Sequence, residues 1–144
     1  MDVDERCVTN LLNTPSVPII DTGFENPITL TKVKKAISNA NSGKAVGCDD
    51  IPTEVLDNAN AVAYMHSLFQ DCYANSVIPS IWKKGIISPI PQDHTSDPHD
   101  PVNFRGITLA CSMYKLYCSV LNMRMSKWTE TNKLVEDEQN GFRP

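Results

Sequence analysis

Trp82-Lys83-Lys84-Gly85-Ile86-Ile87-Ser88-Pro89-Ile90, followed after a polar stretch by Asn103-Phe104-Arg105-Gly106-Ile107-Thr108-Leu109, decides how this chain folds. Each half is short and rich in β-branched residues, and the connection between them carries Pro and Asp, so the pair reads as a β-hairpin. A pair of Lys stands at the head of the first strand and Arg105 at the head of the second. If the two strands pair, these three cations are expected close together. Such a set suits polyphosphate or a nucleic-acid backbone, because guanidinium grips phosphate through two parallel hydrogen bonds and ammonium acts as a point charge.

On either side of the hairpin the apolar spacing turns helical. Thr29 is placed to cap a helix with Leu30, Val33, Ile37 and Ala40 on one face, ended by Asn41-Ser42-Gly43. Lys32, Lys34 and Lys35 read as its solvated side. A second helix is expected over 60–75, with Val62, Met65, Phe69, Cys72 and Tyr73 at helical spacing and His66 beside that stripe, partly buried or at the surface. A third begins at Ser112 and runs to about residue 128; Met113, Leu116, Tyr117, Val120, Leu121, Arg124 and Trp128 form a broad face expected to pack under the hairpin. Pro52-Thr53-Glu54 marks another helix start, which gives Asp49 or Asp50 the task of capping or flanking it. Helices separated in sequence from one hairpin define an α+β fold.

Composition limits the functional classes. With 144 residues and 41% hydrophobic content the chain can fill a core, while 7% aromatic residues and ten Pro point to many loops. A formal charge of −4 and a pI near 5.3 argue against a strong autonomous nucleic-acid binder. The charge is uneven, however: residues 1–31 hold five acids against Arg6, and residues 83–128 hold six bases against Asp93, Asp97 and Asp100. The expected contact strip is therefore mildly basic. Five Cys, with no C-x-x-C pair, indicate a reducing compartment, and Cys72, Cys111 and Cys118 are expected as buried thiols. No run approaches the ~20 apolar residues of a bilayer span, and the acidic amino terminus lacks a signal pattern. The expectation is an intracellular protein of cytoplasm or nucleus, without membrane contact. Residues 92–100 hold two His and three Asp and read as a solvated loop rather than a zinc site.

Four segments in order carry a family resemblance: Lys44-Ala45-Val46-Gly47-Cys48-Asp49-Asp50-Ile51-Pro52-Thr53-Glu54; Pro79-Ser80-Ile81-Trp82-Lys83-Lys84-Gly85; Asn103-Phe104-Arg105-Gly106-Ile107-Thr108-Leu109 with Lys115 and Leu116 beyond; and Gln139-Asn140-Gly141-Phe142-Arg143. They resemble, respectively, the K-A-x-G-x-D-x-I-P-x-E, P-x-x-W-K-x-G, N-[YF]-R-[GP]-I-[ST]-L…K-[LIF] and Q-x-G-F-R motifs in the front part of the reverse transcriptases of non-LTR (LINE-type) retrotransposons. The likeness spans about 115 of the 144 residues. It implies a partial right-hand polymerase fold, with fingers helices plus a β-hairpin and the palm catalytic core missing. Residues 1–27 would be a polar leader or linker, and 28–144 a truncated reverse transcriptase domain of fingers and the start of the palm.

The resemblance also implies roles. The family's activity is RNA-templated DNA synthesis, with RNA template, DNA primer and dNTP as partners of the intact enzyme. Two Mg2+ ions are held there by carboxylates of an F-D-type strand and a [FY]-x-D-D turn, the arrangement that two-metal phosphoryl transfer requires. Neither motif occurs in this sequence, so no catalytic residue and no metal ligand is assigned, and the chain alone is expected to be inactive, with weak or no nucleic-acid binding. Arg105 would contact the phosphates of the incoming nucleotide, and Gly106 would let the backbone approach it closely. Lys83, Lys84 and Lys115 would meet the template backbone, while Trp82 and Phe104 read as packing residues. The family's usual P-I-x-K is replaced by Pro89-Ile90-Pro91-Gln92, one cation fewer. The alternative is a non-catalytic RNA- or protein-binding remnant of a retroelement.

Overall fold

Apolar residues three and four apart become buried helix stripes, and the β-branched segments become strands. The computed structural model describes residues 26–92, 97 and 99–134. Nearly all of the 1–27 leader and the Gln139-Asn140-Gly141-Phe142-Arg143 motif lie outside the described residues. Helix α1 spans Leu30–Ser38, α2 Ala59–Asn75 and α3 Ser112–Thr131. Between α2 and α3 lie strands β1, Gly85–Pro91, and β2, Phe104–Ala110. Short 3-10 turns occupy Thr53–Leu56, Ser80–Lys83 and Pro101–Asn103. The described residues form a small α+β unit with one two-stranded antiparallel sheet.

α1 buries Val33, Ala36 and Ile37. This i, i+3, i+4 stripe turns Leu30 toward its edge, where it is 39% exposed rather than buried. The helix ends at Ser38, short of Asn41-Ser42-Gly43, and Thr29 occupies the cap position without a side-chain cap bond. α2 fixes the approach to α1 instead. The Ile28 N–H donates to Gln70 Oε1 at 2.8 Å, and His66 Nε2 donates to the Ile28 carbonyl at 2.8 Å. Ile28 itself is buried. His66, half-buried, therefore holds backbone.

α2 starts at a working cap, with the Asn58 side chain accepting from the Ala61 N–H at 3.0 Å. It buries Val62, Met65, Phe69 and Cys72 and ends at Ser76, which takes the left-handed conformation (φ 54°) usually left to Gly. α3 buries Ser112, Leu116, Tyr117, Val120 and Arg124. This face packs against α1 and meets α2 through Phe69 and Tyr117, whose ring centroids are 5.2 Å apart. It does not lie under the hairpin. Trp82, from the Ser80–Lys83 turn, packs on the same helices: it sits 6.1 Å edge-on from Phe69, 5.9 Å from Tyr114 and 5.6 Å from Tyr117. Farther along α3, the Arg124 guanidinium lies 4.4 Å over the Tyr73 ring and donates to the Asn26 carbonyl.

The hairpin stands away from this core. Ile86, Ile90 and Ile107 are about half exposed and Ile87 is 71% exposed. Cys72 and Cys111 are buried, in keeping with their positions in the sequence, but Cys118 is exposed. It falls just past Tyr117 on α3, off the stripe of Leu116, Tyr117, Val120 and Arg124. Among the described residues, no helix is long and apolar enough to cross a membrane.

Phe69 is fully buried at the meeting point of α2, α3 and Trp82. Phe69→Ala should lower the unfolding free energy by about 3–5 kcal/mol, measured by urea titration. Tyr64→Ala, on the exposed side of the same helix, should change it by less than about 0.5 kcal/mol.

Candidate nucleic-acid and phosphate interface

Antiparallel pairing fixes where each cation goes. The register runs from Gly85↔Ala110 to Ile90↔Arg105 and Pro91↔Phe104. The heads of two antiparallel strands lie at opposite ends of a hairpin, so Lys83 and Lys84 stand at its base and Arg105 near its tip. Five residues of strand separate Gly85 from Ile90, about 17 Å at ~3.4 Å per residue. The expected cluster of three cations is therefore not formed. The hairpin presents two cationic positions, not one.

At the tip, Arg105 is exposed and shares a sheet face with Ile90, Ser88, Ile86, Ile107 and Leu109. Gly106 pairs with Pro89, and a Cβ there would lie 3.1 Å from Ile87 Cγ2. A side chain there would require exposed Ile87 to give by a few tenths of an ångström. Phe104 is half-buried. The connection organises itself by turns. Asp100 accepts from the Val102 N–H at 3.0 Å, and Asp97 Oδ1 accepts from the His99 N–H at 2.9 Å. Asn103 donates to the Asp97 carbonyl at 3.0 Å. Residues 93–96 and 98, including His94 and Asp93 of the two-His, three-Asp stretch, lie outside the described residues.

At the base, segments remote in sequence converge. The 44–54 loop lies against the corner where β2 enters α3. Gly47 is buried, and a Cβ there would fall 2.5 Å from the Ala110 carbonyl carbon and 2.5 Å from the Cys111 nitrogen. Ser112 Oγ donates to the Ile51 carbonyl at 2.6 Å, and Lys115 Nζ donates to the Ala45 carbonyl at 3.1 Å. Cys48 Sγ lies 3.4 Å from Cys111 Sγ. Both thiols also reach the Ile81 carbonyl, each at 3.7 Å. The loop turns through an Asp50 N–H to Gly47 carbonyl bond of 3.2 Å, with Asp50 at φ 51°, a conformation that Asp tolerates better than most residues.

Lys44, Lys83, Lys84 and Lys115 are all exposed and sit on the segments that meet here. Sequence reasoning alone misses Lys44 as a contact residue. Its position at the start of Lys44-Ala45-Val46-Gly47 is the available signal. Trp82, beside Lys83, is buried and packs as expected.

The acidic residues of the loop do not cap. The Thr53–Leu56 turn has Pro52 at its cap and no side-chain cap bond. Both Asp49 carboxylate oxygens are buried, with no geometric hydrogen-bond partner among the described residues. The Cys111 thiol is pushed up to about 11, first by burial, then by its contact with Cys48 and the negative charge of Asp49. Glu54 does bond: its Oε1 accepts from the Gly43 N–H at 2.6 Å, which holds its carboxyl below the usual 4.5. Asp49 and Asp50 do not suit a magnesium pair, since the Asp49 carboxylate is enclosed while Asp50 is exposed. Among the described residues, no group of three His, Cys, Asp or Glu could hold a metal ion.

No protein-family model matches this sequence, and no curated protein is significantly similar to it.

Gly47→Ala should destabilise the protein by at least about 1–3 kcal/mol in urea titration, because the methyl meets backbone that cannot rotate away. The Glu54 bond gives a pH test. A carboxyl lowered by folding contributes stability that is present above its unfolded value and lost as pH falls through the folded one. The Gly43 amide resonance should therefore titrate with a midpoint below 4.5, and this titration should vanish in Glu54→Gln.

Proposed function

We propose that this chain is the fingers side of an RNA-directed DNA polymerase of the non-LTR retrotransposon type, and that its hairpin meets phosphate at both ends. In this reading the base lysines Lys83, Lys84, Lys115 and Lys44 hold the template backbone. Arg105, with Gly106 beside it, faces the triphosphate of the incoming nucleotide. RNA template, DNA primer and dNTP are the partners of the whole enzyme, and the metal chemistry resides in residues other than those described here.

One observation supports the reading most. The first described segment that resembles the family touches both of the others: Cys48 Sγ reaches the Ile81 and Lys84 carbonyls, and Lys115 Nζ donates to the Ala45 carbonyl. The exposure of every proposed phosphate-binding cation supports it further.

The separation of tip and base makes the test sharp. In fluorescence anisotropy with labelled single-stranded RNA, replacing Lys83 and Lys84 by Ala should weaken binding. The slope of log affinity against log salt should also become shallower by about 0.7 for each phosphate no longer neutralised. Arg105→Ala should leave that slope unchanged. It should instead weaken dNTP binding by about tenfold to a hundredfold, the worth of one charged hydrogen-bonding group. RNA binding indifferent to both Lys would remove the base from the reading. Triphosphate binding indifferent to Arg105 would remove the tip.

A further inference from the structure

We infer that Cys48 and Cys111 form an oxidation site that closes to a disulfide under mild hydroperoxide, bonding the 44–54 loop to the start of α3. The two sulfurs already lie 3.4 Å apart across 63 residues of sequence. Closing to the ~2.05 Å of a disulfide asks them to approach by about 1.4 Å. Both side chains are aimed inward by shared acceptors. Cys48 Sγ reaches the carbonyls of Ile81 at 3.7 Å and Lys84 at 3.9 Å, and Cys111 Sγ reaches the same Ile81 carbonyl at 3.7 Å. Gly47, wedged against Ala110 and Cys111, keeps the two backbones close enough for the bond.

Exposure assigns the order of events. Cys48 is partly exposed and Cys111 is buried. The Cys48 thiol gives up its proton and the thiolate attacks one peroxide oxygen; the O–O bond breaks, Cys48 becomes a sulfenic acid, and the departing hydroxide takes up the released proton and leaves as water. The Cys111 sulfur, losing its proton, then attacks the Cys48 sulfur. The S–O bond breaks, and the departing hydroxide takes up that proton as a second water. Two thiols and one peroxide thus give one disulfide and two waters. The titratable groups facing the Cys111 thiol are Cys48 and Asp49 of the loop, while the Ser80–Lys83 turn presents the neutral Ile81 carbonyl. Burial, the contact with Cys48 and the Asp49 charge hold back the Cys111 thiolate, so the second step quickens as pH rises.

The test uses the full reduced chain, treated with hydrogen peroxide, blocked with N-ethylmaleimide, digested without reductant and mapped by mass spectrometry. The expected product is a Cys48–Cys111 linked peptide, two hydrogens lighter than its parts and released by dithiothreitol. The oxidised protein should also melt at a higher temperature than the reduced one. Cys48→Ser, at the more exposed partner, should abolish the linked peptide while the reduced variant retains the wild-type circular dichroism spectrum. Maleimide on both residues after oxidation would overturn the assignment, as would Cys48 recovered as sulfinic acid or linked to Cys72 or Cys118. The wild-type map decides the matter even if Cys111→Ser fails to fold.

Discussion

The close approach of Gly47 to the Ala110–Cys111 peptide is the constraint on which the rest of the junction depends. A Cβ at that position would sit 2.5 Å from two backbone atoms, a distance that no side-chain rearrangement relieves. With glycine there, the 44–54 loop can lie on the corner between β2 and α3. Ser112 can then bond the Ile51 carbonyl, Lys115 the Ala45 carbonyl, and Cys48 can face Cys111. Each of these is modest alone, the neutral Ser112 bond contributing about 1 kcal/mol. They act together because one backbone approach sets the geometry of all of them.

The helices are legible in the sequence because their apolar residues recur at the spacing that burial requires. Val62, Met65, Phe69 and Cys72 can be read directly, and so can Leu116, Tyr117 and Val120. Small residues are less visible: Ala36 is buried on α1, whereas the larger Leu30 is not. The strands are legible in kind and in pairing. Arg105 is misplaced by any reading that leaves strand direction out of account, since direction alone sends the two strand heads to opposite ends. The Asp49–Asp50 pair stands at a plausible cap position, yet Pro52 occupies that cap and Asp49 turns inward. Composition carries no signal for the thiol pair, since its partners are joined only by the tertiary fold.

Stability is partitioned unevenly. The helical layer gathers Phe69, Trp82, Tyr114 and Tyr117 around one point, and aromatic pairs at these separations add about 0.5–1.5 kcal/mol beyond the area they bury. The hairpin buries little on either face. A two-stranded ribbon in water is marginal on its own, so its order derives from its anchored base, where Trp82 and Gly47 hold the two strand ends.

That anchoring makes the hairpin a lever. Seven-residue strands extend roughly 20 Å from the fixed end. A rocking of about ten degrees at the base would sweep the Arg105 end through about 3 Å, by the geometry of a ~17 Å arm, close to the length of one hydrogen bond. A shift at the glycine too small to disturb the aromatic core is thus enough to bring a guanidinium into or out of reach of a phosphate.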